Sequence, residues 1–161
     1  HIGSDVVKLL SPLNCKILVQ DIVDKSDFCR KQGASETSLG EVIERSDIIS
    51  PHVPLTELTR QMVDESFLRR MKSTAFFINT SRGGVVDQEA LKNALHQRIV
   101  AGAALDVFLE EPPTDEEFLS LPNLMVTPHI GGNASEAIEA MGRSAIDHLV
   151  LFFQDQKSNH S

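Results

Sequence analysis

Three short segments carry the side chains best suited to chemistry: Asn79-Thr80-Ser81-Arg82-Gly83-Gly84, Asp106-Val107-Phe108-Leu109-Glu110-Glu111-Pro112 and Thr127-Pro128-His129-Ile130-Gly131-Gly132. Each follows an apolar, β-branched run. In an open α/β sheet, ligands bind outside the carboxyl ends of the strands, so three strands ending in Arg, Glu and His would set those groups along one rim. Arg offers a planar fork for a carboxylate. His takes or returns a hydroxyl proton near neutral pH, and a carboxylate favours its charged form. Together they suit an anionic 2-oxo or 2-hydroxy acid; singly, none points to a function.

Each residue also has a plainer reading. An Arg-Gly-Gly tripeptide could serve only a surface ion pair. A lone His among apolar neighbours is usually a satisfied core residue, but the Pro before His129 and the Gly pair after it place it in a strand-end loop. Glu110 and Glu111 are adjacent, and acids beside Pro are commonly solvated loop charges.

At these three motifs the chain resembles the NAD-dependent D-isomer-specific 2-hydroxyacid dehydrogenases, over nearly all of residues 1 to 150. That family's catalytic trio falls here on Arg82, Glu111 and His129; Glu111 is preferred to Glu110 because the family's Glu directly precedes Pro. The resemblance implies reversible hydride transfer between NAD(H) and a small D-2-hydroxy acid or 2-oxo acid. It also places Val53, Pro54, Thr56, Thr80, Ser81, Arg82, Asp106, His129 and Gly131 around the cofactor. Gly131 has a reason of its own, since backbone without Cβ can approach a flat ring closely. A second implied reading is an NAD-sensing interaction module of the C-terminal-binding corepressor type, because a fold does not fix a function.

The residues themselves hint at the same cofactor. Gly3 could be the last glycine of a dinucleotide fingerprint, and Asp21 ends the next strand 18 residues later, near the roughly 20-residue spacing at which an acid meets ribose hydroxyls. A carboxylate there favours NAD over NADP. Asp21 could also be only a turn residue.

The elements that must position these groups alternate between helix and strand, which predicts a parallel sheet covered on both faces. The pattern predicts helices over Gly3 to Leu10, from a Ser38/Glu41 capping box to Arg45, over Asp64 to Met71, from Asp87 to Gln97, after a Thr114/Glu117 capping box, and over Ser135 to Phe153. Strands are expected at Lys16 to Asp21, Asp47 to Ser50, Thr74 to Asn79, Ile99 to Asp106 and Leu124 to Thr127, with a loose stretch up to Glu36. Residues 1–153 then form an NAD-binding domain, and the polar 154–161 a tail that frays.

At 161 residues with 41% hydrophobic content, the chain is of single-domain size with material for a core. Its charge of −8 argues against general binding to nucleic acid or anionic membrane. Two cysteines, Cys15 and Cys29, are too few for a disulfide framework and suggest a reducing, cytoplasmic setting. No run approaches the roughly 18 apolar residues of a membrane span, and no metal-ligand pattern is evident.

One expectation concerns the start. In the strand order 3-2-1-4-5-6 the first strand is central, and this sequence begins after it. The expected architecture is therefore a Rossmann-like doubly wound sheet lacking its first strand. The family's separate substrate domain would lie elsewhere, and the isolated chain would be poorly active. The resemblance further implies a homodimer for the full-length protein.

Overall fold

The computed structural model describes residues 2–158, with side chains through Phe152. His1 and residues 159–161, the end of the expected tail, lie outside the described residues. The chain divides into two compact units, His1–Pro128 and His129–Ser161.

The first unit alternates helix and strand throughout. Its elements are α1 (Ile2–Leu10), β1 (Leu18–Val19), α2 (Ser26–Gln32), β2 (Ser35–Glu36), α3 (Leu39–Arg45), β3 (Ile48–Ile49), α4 (Glu65–Arg70), β4 (Phe76–Asn79), α5 (Gln88–His96), β5 (Gly102–Leu105), α6 (Glu116–Leu119) and β6 (Leu124–Val126). Short 3₁₀ turns occupy Ser11–Leu13 and Gly83–Val85. Every strand pairing is parallel, as expected: β1 pairs with β2, and β3-β4-β5-β6 form a four-stranded sheet. Among the described residues the two sheets share no strand pairing.

Alternation along the strands selects the core face. Ile49, Phe77, Asn79, Ala103 and Leu105 turn to one side. Ile49, Phe77, Ala103 and Leu105 share a buried cluster with Ile43 of α3, Phe67 and Leu68 of α4, Leu91, Ala94 and Leu95 of α5, and Phe118 of α6. On the other face Ile48, Phe76 and Met125 are each more than half exposed.

Helix starts follow the sequence closely. Ser38, Asp64 and Asp87 each accept a hydrogen bond from the backbone N–H three residues on, at 3.2, 2.8 and 3.1 Å, satisfying a donor that the first helical turn leaves unpaired.

The loose stretch before Glu36 needs correcting, because it holds both α2 and β2. A single core residue, Cys29, anchors α2, so no apolar stripe announces it. Its end is defined by Gly33 at φ 68°, with Ala34 N donating to Cys29 O at 2.9 Å, the pattern of a Schellman cap. The α6 cap also differs from expectation. Asp115, not Thr114, accepts from Phe118 N at 3.0 Å, and the Glu117 carboxylate pairs with Lys92 at 2.7 Å.

The second unit contains α7 (Ser135–Ser158), which continues past the expected end at Phe153. Among its side chains Ile138, Met141, Ile146 and Leu149 are more than half exposed.

Candidate active site

The turn after β4 is built around Asn79, an amide with no solvent exposure. Its Oδ1 accepts from Ser81 N at 3.0 Å and from Ser81 Oγ at 2.8 Å, while its Nδ2 donates to Arg82 O at 3.0 Å. A buried amide satisfied on both ends fixes the backbone on either side of it. Thr80 and Arg82 therefore project from a locked turn and are exposed, while Ser81 is buried. The Arg82 guanidinium donates to Ser81 O at 2.6 Å.

The neighbouring strand end is tied to this turn. Asp106 N donates to Asn79 O at 3.0 Å, and Thr127 Oγ1 at the end of β6 donates to Asp106 Oδ1 at 2.6 Å. Asp106 is buried and so held at the rim. Beyond it, Glu111 Oε1 accepts from Phe108 N at 3.0 Å. A Cβ built on Gly83 would lie 1.9 Å from Phe108 O and 2.0 Å from Phe108 C. Only glycine allows the Arg82 turn and the Glu111 loop to approach this closely.

The loop after β3 joins the same rim. Thr59 Oγ1 donates to Pro54 O at 2.6 Å, and Thr56 N donates back to Thr59 Oγ1 at 2.8 Å. A Cβ on Gly84 would meet the tip of Leu55 at 3.0 Å, and the parallel bridge between Val63 and Val86 secures the segment further on. Pro54, Thr56, Thr80, Arg82, Asp106 and Glu111 are thus gathered at the ends of β3, β4 and β5, with Val53 half-buried among them.

Gly3 sits within the first turn of α1, where a Cβ would lie 3.2 Å from His52 Cβ, so it serves the close approach of helix and loop. His52 Nε2 is buried and has no hydrogen-bond partner. Burial holds the His52 imidazole below its usual pKa, because desolvation disfavours the charged ring. Asp21 stands apart at the end of β1. Its carboxylate is exposed, accepts from Val23 N at 3.1 Å and lies 3.6 Å from Lys25 Nζ.

His129 and Gly131 belong to the second unit, and both are exposed. His129 has φ 54°, a left-handed conformation that costs a non-glycine residue energy and is found preferentially at functional positions.

Asn79, Gly83 and Thr127 lie in the motifs quoted above and His52 in the cofactor-loop motif, but the contacts that give them their places were not legible in the sequence. Asn79 left one signal, a polar residue closing an apolar strand. Gly83 could be read as a helix breaker, but not as a contact. A groove of about 220 Å³ between α4 and α5 contains none of these residues and lies away from the rim.

A parallel α/β unit with Arg82, Asp106 and Glu111 gathered at its strand ends has the architecture of a dinucleotide-binding domain. The chain belongs to the D-isomer specific 2-hydroxyacid dehydrogenases: residues 1–131 match the family's NAD binding domain. It is 43% identical over 158 residues to a glyoxylate reductase of Thermofilum pendens, covering 97% of this chain and 47% of that protein. A glyoxylate reductase of Korarchaeum cryptofilum is 41% identical over 153 residues, covering 94% and 46%. Among solved structures, the D-lactate dehydrogenase of Aquifex aeolicus complexed with NAD and lactic acid superposes with a TM-score of 0.83 at 32% identity, covering 96% and 51%. The chain spans about half the length of the curated relatives it matches. NAD is the cofactor of this domain, and the residues present fit it. The Asp21 carboxylate is exposed and so open to ribose hydroxyls, and Thr80 and Arg82 are exposed at the strand-end rim.

Proposed function

We propose that the whole protein carrying these residues is an NAD-dependent oxidoreductase of small D-2-hydroxy acids, with glyoxylate-like 2-oxo acids on the reduction side. The observation that carries this reading is the rim itself: the Asn79-locked turn presents Arg82 beside the loop of Glu111. NAD(H), when bound, supplies or accepts the hydride at C2. Asp21, Val53, Pro54, Thr56, Thr80, Ser81 and Asp106 are the residues we assign to holding it, with Gly3 and Gly131 giving backbone access.

Arg82 binds the substrate carboxylate through two parallel N–H donors and draws charge from the C2 oxygen. His129 gives a proton to that oxygen in reduction and takes it back in oxidation. Glu111 supplies the negative charge that favours the protonated imidazole. The relatives named above are reductases and dehydrogenases, and no observation favours the corepressor-type reading.

The test is NADH oxidation by the full-length protein with glyoxylate and with longer 2-oxo acids. His129→Ala should lower kcat by about 10² to 10⁴, the usual contribution of a general acid–base group, and leave NADH affinity nearly unchanged. An active His129→Ala variant removes His129 from the role assigned to it.

A further inference from the structure

The segment that begins at Arg82 does more than carry a guanidinium. Gly83 takes the Phe108 carbonyl into the space where any other residue has a Cβ, at 1.9 Å from the oxygen and 2.6 Å from Leu109 N. Five residues on, Gln88 Oε1 faces Leu109 N at 3.5 Å. One helical turn further, Lys92 Nζ donates to both oxygens of Asp115, at 3.2 and 2.8 Å, and lies 2.7 Å from Glu117 Oε2. Gln88 and Lys92 are four apart on α5 and so share one face of the helix. The contacts follow the same order along the partner segment: Phe108, Leu109, then Asp115 and Glu117. Glu111 lies inside the stretch bracketed by these anchors, and its carboxylate is oriented by Phe108 N, the backbone next to the carbonyl that packs on Gly83.

We infer that Gly83, Gln88 and Lys92 form a positioning rail, which holds the Glu111 loop at a fixed offset from the Arg82 turn. The inference rests on the function proposed above for what that offset achieves, but the rail itself is a matter of geometry. Gly83 fixes the near end by excluding a side chain. Lys92 fixes the far end with two carboxylates, and its side chain is 18% exposed, so the pair is partly shielded from water and from screening by salt. None of the three residues touches substrate in this scheme; they act through Glu111.

Lys92→Met is the decisive variant, because it keeps the aliphatic stem and removes only the charge. Gly83→Ala is the harsher one, since the Phe108 carbonyl must move. The full-length protein is used throughout. Hydrogen–deuterium exchange is followed on peptides covering residues 106–112 and 76–82. The expected result for Lys92→Met is faster exchange at Phe108 and Leu109 with unchanged protection around Asn79, and Lys92→Arg should restore protection because a guanidinium can still reach both carboxylates. Unchanged exchange at residues 106–112 overturns the rail.

The kinetic arm uses NADH and glyoxylate. Lys92→Met should lower kcat by about 10²-fold, the cost of misplacing a catalytic group by about 1 Å, with NADH affinity unaltered. In a Glu111→Gln background the same substitution should cost less than about twofold, because residues acting as one unit are not additive. An equal loss in both backgrounds overturns the claim that Lys92 works through Glu111. A wild-type protein that reduces no 2-oxo acid counts against the proposed function, and the exchange result then decides the rail by itself.

Discussion

Two corners of the first unit were expected to touch the cofactor, and they are built in opposite ways. At the ends of β4 and β5, Asn79, Ser81 and Asp106 are buried and joined by hydrogen bonds of 2.8 to 3.0 Å. At the end of β1, Asp21, Asp24 and Lys25 stand in an open, exposed loop: Asp21 to Val23 N, Asp24 to Ser26 N and Asp21 to Lys25 are local ties, and one longer bond runs from Lys25 N to Glu36 Oε1 at 2.8 Å. Chemistry at a carbonyl demands fixed angles and distances, so its groups sit on backbone that cannot shift. A carboxylate meeting two hydroxyls tolerates a looser mount. The difference shows where this fold spends buried polar groups, which are costly unless fully satisfied.

The contrast breaks most sharply at Asn79. Asn79→Leu keeps the volume and removes both ends of the amide, leaving Ser81 N and Ser81 Oγ without the acceptor they now share, while Arg82 O keeps its bond from Val85 N at 3.2 Å. At about 1 to 3 kcal/mol for each orphaned buried group, the loss should be about 3 kcal/mol. That corresponds to a fall in Tm of about 10 °C for a chain of this size, accompanied by loss of turnover. Thermal unfolding followed by circular dichroism checks it. A variant that melts like the wild type would mean that the turn is held by something other than Asn79.

Asp21→Asn should behave in the reverse way. The exposed loop has little packing to lose, so stability should change by less than about 0.5 kcal/mol. NADH affinity should fall about tenfold with the loss of charge-assisted hydrogen bonds, and discrimination against NADPH should relax as the repelling charge goes. Calorimetric titration with both cofactors separates this outcome from a merely structural Asp21, for which neither affinity would move.

The same contrast explains what the sequence could and could not reveal. Helices with a stripe of apolar residues and a capping side chain, such as α4 behind Asp64 and α5 behind Asp87, are legible because a local rule and a burial pattern agree. The parallel order followed from the alternation. By contrast, α2 has one buried residue, Cys29, so no apolar stripe marked it. The strands proved shorter than their apolar runs, because ladder pairing depends on a neighbour's register and not on composition. Arg82, Glu111 and His129 were visible as motifs because their types carry the chemistry. The roles of Asn79, Gly83 and Lys92 were not legible, since what matters about each is a long-range contact: an amide reaching around a turn, a missing Cβ against Phe108, an ammonium between α5 and α6.

The smallest expected effect comes from a glycine at the end of α2, on the β1–β2 side of the unit, and it sharpens the comparison because a glycine in the tight corner should behave differently. Gly33 has φ 68° and nothing within 4 Å of where a Cβ would sit. Gly33→Ala therefore meets no obstacle except its own backbone, and the cost of holding a non-glycine residue in the left-handed region is about 1 kcal/mol. Gly33→Asn should recover part of that, because asparagine tolerates this conformation at helix ends. Both should leave kcat and NADH affinity unchanged. Gly83→Ala faces the opposite situation: no positive φ is involved, and the carbonyl of Phe108 occupies the site. Asparagine offers no relief there, so Gly83→Asn should be at least as damaging as Gly83→Ala. Tm measured across the four variants distinguishes the two mechanisms by the sign of the Ala-to-Asn step: upward at position 33, flat or downward at position 83. An upward step at both positions would mean that Gly83 is retained for its backbone freedom, and that its approach to Phe108 is incidental.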